Sequence, residues 1–142
     1  MNADDAIRQR RSVRRYTDTP VSDDDLNTIL RLALLAPTGG MAQAWSLIVV
    51  RDAAKRKAVA DLVIRGGAEY FRTVRPAAPD TSPEDHAAWA RGYAEQALGT
   101  YYDVPVWVLG LVVPRNVFPA DQRDAERTAD VTSIAFAMEN LF

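Results

Sequence analysis

Two short apolar runs, Trp45–Val50 and Val104–Val113, stand among segments whose apolar residues recur at helical spacing. Both runs are rich in β-branched residues, as strands buried in a sheet are. The chain therefore reads as mixed helix and strand. With 142 residues it fits one domain and hardly two.

The helical segments are bounded by specific signals. Ser22 stands three residues before Asp25, close to a capping box, and Asp23 and Asp24 suit the positive end of a helix. That helix places Leu26, Ile29, Leu30, Ala33 and Leu34 on one face, and Pro37 with Gly39-Gly40 stops it. Asp52 to Arg65 is a second helix through Ala53, Val59, Leu62 and Val63, closed by Gly66-Gly67. Residues 74–83 carry Pro76, Pro79 and Pro83 and read as a loop. A helix runs from Pro83 to about Tyr102 with Trp89, Tyr93 and Ala97 four apart, and a last one from Asp121 to Phe142. The last helix carries Ala129, Ile134, Ala135, Met138 and Leu141 as its apolar residues. At the other end, Asp4–Arg11 is short and mixed, and Ser12–Pro20 reads as extended chain. The apolar end at Leu141-Phe142 fits two readings, a docked terminal helix or a chain that continues.

Composition removes several chemistries. There is no cysteine, so disulfides, thiolate metal sites and cysteine nucleophiles are out, and His86 alone makes no metal cluster. Net charge is −2, from 17 basic and 19 acidic residues, which argues against general nucleic-acid or membrane-surface binding. No run approaches the roughly 20 apolar residues of a membrane span, and a cytoplasmic protein is the expectation. Neither G-x-G-x-x-G nor a P-loop occurs. Asp121, Asp124, Glu126 and Asp130 read as a solvated helix face, and His86 as an exposed side chain near a helix start. Trp89, Tyr93 and Tyr101-Tyr102 read as core or interface.

Two segments can carry binding chemistry. Arg10-Arg11-Ser12-Val13-Arg14-Arg15 holds four arginines in six residues. On extended chain Arg10, Ser12 and Arg14 share one side, where two guanidinium forks beside a hydroxyl suit phosphate. Val13 between them is expected to be the buried anchor. A solvated basic stretch and a nucleic-acid contact are the competing readings. The second segment, Ala36-Pro37-Thr38-Gly39-Gly40-Met41-Ala42-Gln43-Ala44-Trp45, links a helix to a strand. Its glycines permit close approach of a planar ligand, and Thr38 and Gln43 offer directional hydrogen bonds. A plain helix-to-strand turn explains the same residues.

Taken in order, these segments resemble the FMN-dependent nitroreductase family. The resemblance rests on Arg10 to Tyr16, Pro20-Val21 with the helix from Asp23, Ala36 to Gly40 with Gln43 and Trp45, Val104 to Val108, and Asp130 to Leu141 with its Asn140-Leu141 pair. It implies an α+β fold, a mainly antiparallel sheet flanked by helices, in an intertwined homodimer with FMN at the dimer interface. By the same resemblance Arg10, Ser12 and Arg14 hold the phosphate and the pyrimidine end of the flavin, with Arg11 beside them. Pro37, Thr38, Gly39 and Gln43 come from the partner subunit. No catalytic side chain and no metal ligand is nominated, because the flavin does the chemistry.

The implied activity is reduction of a nitroaromatic, a quinone or a similar small acceptor with NAD(P)H. Alternatives on the same scaffold are a flavin-sequestering protein with little turnover, a reductive dehalogenase and a flavin-fragmenting enzyme. Their distinguishing lid falls in residues 65–102. Two departures stand out. Met41 and Ala44 occupy positions where the family usually has Asn and Pro. Family chains also continue past the helix ending here at Leu141-Phe142, with a Gly-Leu-Gly turn, another strand and a basic residue on the phosphate. The expectation is a single nitroreductase-like domain over 1–142 that lacks its C-terminal portion and holds FMN more weakly than a longer chain.

Overall fold

A computed structural model describes residues 2–17 and 19–141; Met1, Asp18 and Phe142, the last placed in a helix by the sequence reading, lie outside the described residues. The described chain divides into two compact units. The first comprises residues 2–11, 20–49 and 107–141, the second Ser12–Thr19 and Val50–Val106.

In the first unit, α1 (Ala3–Gln9) occupies the segment that reads as merely short and mixed. Its apolar periodicity is poor, and its ends explain it: Asn2 Oδ1 accepts the Asp5 N–H at 2.8 Å, while the Asp5 carboxylate reaches back to the Asn2 N–H. α2 (Asp23–Leu34) starts where expected, with the Asp25 N–H donating to Ser22 Oγ. Of its expected apolar face, Leu26 and Ala33 are buried and Leu30 is half-buried, but Ile29 and Leu34 are exposed. Strand β1 (Trp45–Val50) has the expected limits. It pairs antiparallel with β2 (Trp107–Val112), and the Val113 N–H donates to Ala44 O. β2 is shorter than the run that announced it. Pro105 has no N–H to give a ladder, and pairing begins only at Trp107.

α5 (Arg123–Glu139) follows a 3₁₀ turn at Ala120–Gln122. Ala36, Trp45, Ile134 and Ala137 form the core of this unit, with Leu47, Val112 and Met138 against them. At Gly110 a Cβ would come within 2.7 Å of Ile134 Cδ1, so the strand and α5 meet across a bare backbone. The α+β class stands, with a sheet of two strands among the described residues.

The second unit is built on α3 (Ala53–Val74) and α4 (Pro83–Leu98), followed by a 3₁₀ segment at Gly99–Asp103. They run antiparallel: Phe71 meets Tyr93 edge-on at 4.8 Å, Gly67 faces Leu98, and Asp61 bonds Tyr102. Ile64, Ala68 and Ala94 are its core, with Phe71 and Leu98 packed on them. α3 corrects one expectation. The helix does not close at Gly66-Gly67 but continues to Val74. A glycine terminates a helix by adopting positive φ, and of the glycines only Gly40 does so here. Gly67 has another task, since a Cβ there would collide with Leu98 Cδ1.

Opposite outcomes are expected for the two adjacent glycines. Gly66 faces open space, so Gly66→Ala should stabilise by roughly 0.5–1 kcal/mol through helix propensity. Gly67→Val should destabilise by about 1 kcal/mol, since it must push the end of the Leu98 side chain aside. Chemical denaturation of the two variants checks this; equal midpoints would show that Gly67 is no close-approach position.

Candidate functional site

The arginine block crosses the boundary between the two units. In the first, Arg10 is the C-cap of α1, exposed, with its Nε 4.0 Å from Glu139 Oε1. Arg11 turns back on the same helix end, where one guanidinium nitrogen donates to Arg8 O and Arg10 O at 2.8 Å each. Those carbonyls would otherwise lack helical partners.

In the second unit Ser12 and Arg14 are exposed on backbone that is neither helix nor strand. The Arg14 guanidinium donates to Ser12 O at 3.4 Å, a long bond that leaves it free to turn. The Arg14 carbonyl is held firmly, accepting the Thr100 hydroxyl at 2.7 Å. Val13 is not the buried anchor expected of it, being 67% exposed. Anchoring comes from later residues: Thr100 grips the backbone at Arg14, and the half-buried Tyr16 ring packs against Tyr101 with centroids 6.0 Å apart. Burial raises the Tyr16 pKa, the neighbouring Tyr101 adds to the rise, and Arg14 opposes it.

The second candidate segment lies wholly in the first unit. Pro37 and Gln43 are exposed, and Thr38 is half-buried. Thr38 leads into a 3₁₀ turn at Gly39–Met41. Gly40, Met41 and Gln43 have φ of 57°, 54° and 46°. Two of these are not glycine, and left-handed backbone costs an ordinary residue on the order of 1–2 kcal/mol. Met41 is 90% exposed. The amides of Gly39, Met41 and Ala42 are committed inside the protein, to Ser133 Oγ, Thr38 O and Gly39 O. The Gly40 amide, the Thr38 hydroxyl and the Gln43 carboxamide are among the loop's remaining candidate donors.

Two acidic residues expected to be solvated are buried. Glu126 and Asp130 are 4% and 3% exposed. Glu126 accepts the amides of Val117 and Phe118 at 3.1 and 3.5 Å, and Asp130 accepts Arg115 at 3.0 Å. Together they fix the segment after β2 onto α5. Glu126, Asp130, Ser133 and Ala137 are spaced four, three and four, the inward stripe of a helix, and that spacing is the signal that exposes them. Ala129 and Ala135, expected on the apolar face, are exposed instead. His86 is half-buried, bonded through Nε2 to Arg75 O at 2.8 Å and stacked on Trp89. In the same unit Asp61 accepts Tyr102 OH at 2.6 Å and Lys57 at 2.9 Å. These bonds, the tyrosine's first, lower the Asp61 pKa.

The Nitroreductase family profile matches residues 7–142. The chain is 29% identical over 126 residues to the nitrobenzene nitroreductase of Ectopseudomonas oleovorans, covering 87% of this chain and 51% of that protein. It is 52% identical over 46 residues to a putative NADH dehydrogenase/NAD(P)H nitroreductase of Archaeoglobus fulgidus, covering 32% of this chain and 26% of that one. It thus spans from about a quarter to about half the length of these curated relatives. A BluB-like flavoprotein of Clostridium difficile 630 superposes with a TM-score of 0.71 at 25% identity, covering 99% of this chain and 68% of that one. Among the described residues no helix is long and apolar enough to cross a membrane. With a profile match that takes in all but its first six residues, the chain belongs to the nitroreductase family.

Proposed function

We propose that this chain binds FMN and belongs to an NAD(P)H-dependent flavin oxidoreductase that reduces small acceptors such as nitroaromatics or quinones. The observation that carries the reading is the family match over residues 7–142. The donor set fits the cofactor. Among the described residues, the exposed Ser12 and Arg14 have side chains uncommitted to any strong bond, and Arg10 keeps only a 4.0 Å approach to Glu139. Guanidinium forks and a hydroxyl are what a phosphate monoester needs. Arg11 contributes mainly by finishing α1, because its side chain is occupied there.

When bound, the flavin supplies hydride acceptance and donation, and the protein supplies position and charge. Arg10, Ser12 and Arg14 hold the phosphate and the pyrimidine end, and a cation there favours the reduced, more negative cofactor. Pro37, Thr38, Gly39 and Gln43 present the partner loop, with Thr38 and Gln43 as hydrogen-bonding side chains. No side chain of the chain is assigned a proton-transfer step.

A homodimer is part of this reading. α2 and its C-cap leave Ile29, Leu32 and Leu35 exposed at three-residue spacing, Leu35 to 77%, and α5 leaves Phe136 half exposed. Sedimentation should find a dimer, and Leu35→Glu should shift it to monomer without loss of helical signal. A folded wild-type monomer carrying stoichiometric FMN would remove the shared-site arrangement.

The activity test is NAD(P)H oxidation by the FMN-loaded protein with a quinone or nitro acceptor. Acceptor-dependent turnover supports the oxidoreductase. Bound flavin without turnover favours a sequestering protein, the alternative that the exposed Met41 keeps in view.

A further inference from the structure

Ser133 stands on α5, 94 residues along the chain from the Gly39 turn, and is 5% exposed. Its hydroxyl accepts the Gly39 N–H at 3.0 Å and donates its own proton to Ala129 O at 2.7 Å. One side chain therefore joins a helix carbonyl to a loop amide, with both halves of the hydroxyl in use. Ala129 completes the seat: a Cβ on Gly39 would lie 3.4 Å from Ala129 Cβ and 3.7 Å from Ser133 Oγ. The turn thus rests directly on the helix.

Beyond this seat the backbone would not hold its shape unaided. Gly40, Met41 and Gln43 all have positive φ, and Met41 is almost fully exposed, so its side chain adds nothing to hold it there. Left-handed geometry at ordinary residues persists only where surrounding contacts dictate it. Among the described residues, Ser133 reaches this turn from outside it with a side-chain hydrogen bond, beside the Ala129 methyl.

We infer that Ser133 is a positioning residue for the ligand-facing loop Pro37–Gln43: it fixes Gly39 so that the Thr38 hydroxyl, the Gly40 amide and the Gln43 carboxamide are presented in one arrangement. The inference rests on the flavin reading of that loop. It also gives Gly39 a definite role. Its amide faces the helix, and its part in binding is close approach of the backbone, with hydrogen bonds coming from its neighbours.

The test compares wild type, Ser133→Ala and Thr132→Ala. Thr132 makes the same kind of bond to its own helix, to Thr128 O at 2.8 Å, and is exposed, which makes it the control. Two quantities are read: the FMN dissociation constant by fluorescence titration well below the melting temperature, and hydrogen exchange at the Gly39 amide in the flavin-free protein. Ser133→Ala should weaken FMN binding about three- to ten-fold, the worth of one hydrogen bond that organises a site, and should speed Gly39 exchange by a similar factor. Thr132→Ala should change neither. Loss of thermal stability in Ser133→Ala with unchanged FMN affinity would overturn the inference, because that is the signature of a merely structural serine. Unchanged Gly39 exchange would overturn it too. If wild type binds no FMN, the flavin reading itself falls and carries this inference with it.

Discussion

Asp130→Ala should lose about 3 kcal/mol of folding stability, more than any of the other substitutions proposed for this chain. Asp130 is 3% exposed, and its carboxylate accepts Arg115 at 3.0 Å; the arginine side chain is 29% exposed. Breaking a buried pair from one side typically costs about 3–5 kcal/mol, since the other charge is left without its partner. The partial exposure of Arg115 puts this case at the lower end. Among the described residues Arg115 Nε is already buried without a partner, so the variant would leave the buried part of the guanidinium poorly satisfied. Neighbouring Glu126 would still hold Val117 and Phe118, which confines the damage to one end of the segment after β2. For a chain of this size the melting temperature should fall by roughly 10 °C. Replacing both partners, Arg115→Met with Asp130→Leu, should recover much of the loss. A drop below about 1 kcal/mol in the single variant would mean that the pair is solvated after all.

Arg14→Ala should weaken FMN binding by roughly 1–3 kcal/mol while leaving the flavin-free protein's stability within about 0.5 kcal/mol of wild type. The contrast with Asp130 comes from what each side chain holds. Among the described residues, Arg14 spends its guanidinium on one 3.4 Å bond to a neighbouring carbonyl and pairs with no carboxylate. Its backbone is secured independently by Thr100, and that bond survives the substitution. Removing the side chain strands no buried partner, and water takes its place. A structural arginine would lower the melting temperature with or without flavin, and a solvated bystander would change neither quantity. The experiment is a flavin titration beside a thermal melt of the apo protein.

Local signals make much of the fold legible. β1 has its expected bounds because a β-branched run between a glycine turn and a charged residue admits few other structures. α2 begins at the residue that its Ser22 cap dictates. α4 begins at Pro83, behind the Ser82 hydroxyl. Expectation and structure part where a local signal has two meanings. Gly66-Gly67 looks like a stop, yet glycine also serves wherever another helix comes close, and only the packing of Leu98 distinguishes the two. α1 is easily missed because its apolar spacing is poor, although Asn2 and Asp5 already spell a capping box. Glu126 and Asp130 read as solvated because carboxylates usually are; their partners come from another segment that the sequence does not place. Ser133 is the extreme case. Nothing in its neighbourhood along the chain points to Gly39, and only the folded first unit brings them within 3.0 Å. In the binding segments the residue types are legible, but which amides and guanidiniums are already committed is not.

Whether this chain takes up FMN is decided by equilibrium titration with the free flavin. Quenching of flavin fluorescence by the folded 142-residue chain should saturate at one FMN per chain, with a matching shift in the flavin absorbance bands. Folded protein that leaves both signals unchanged through the titration would mean that the chain does not bind flavin.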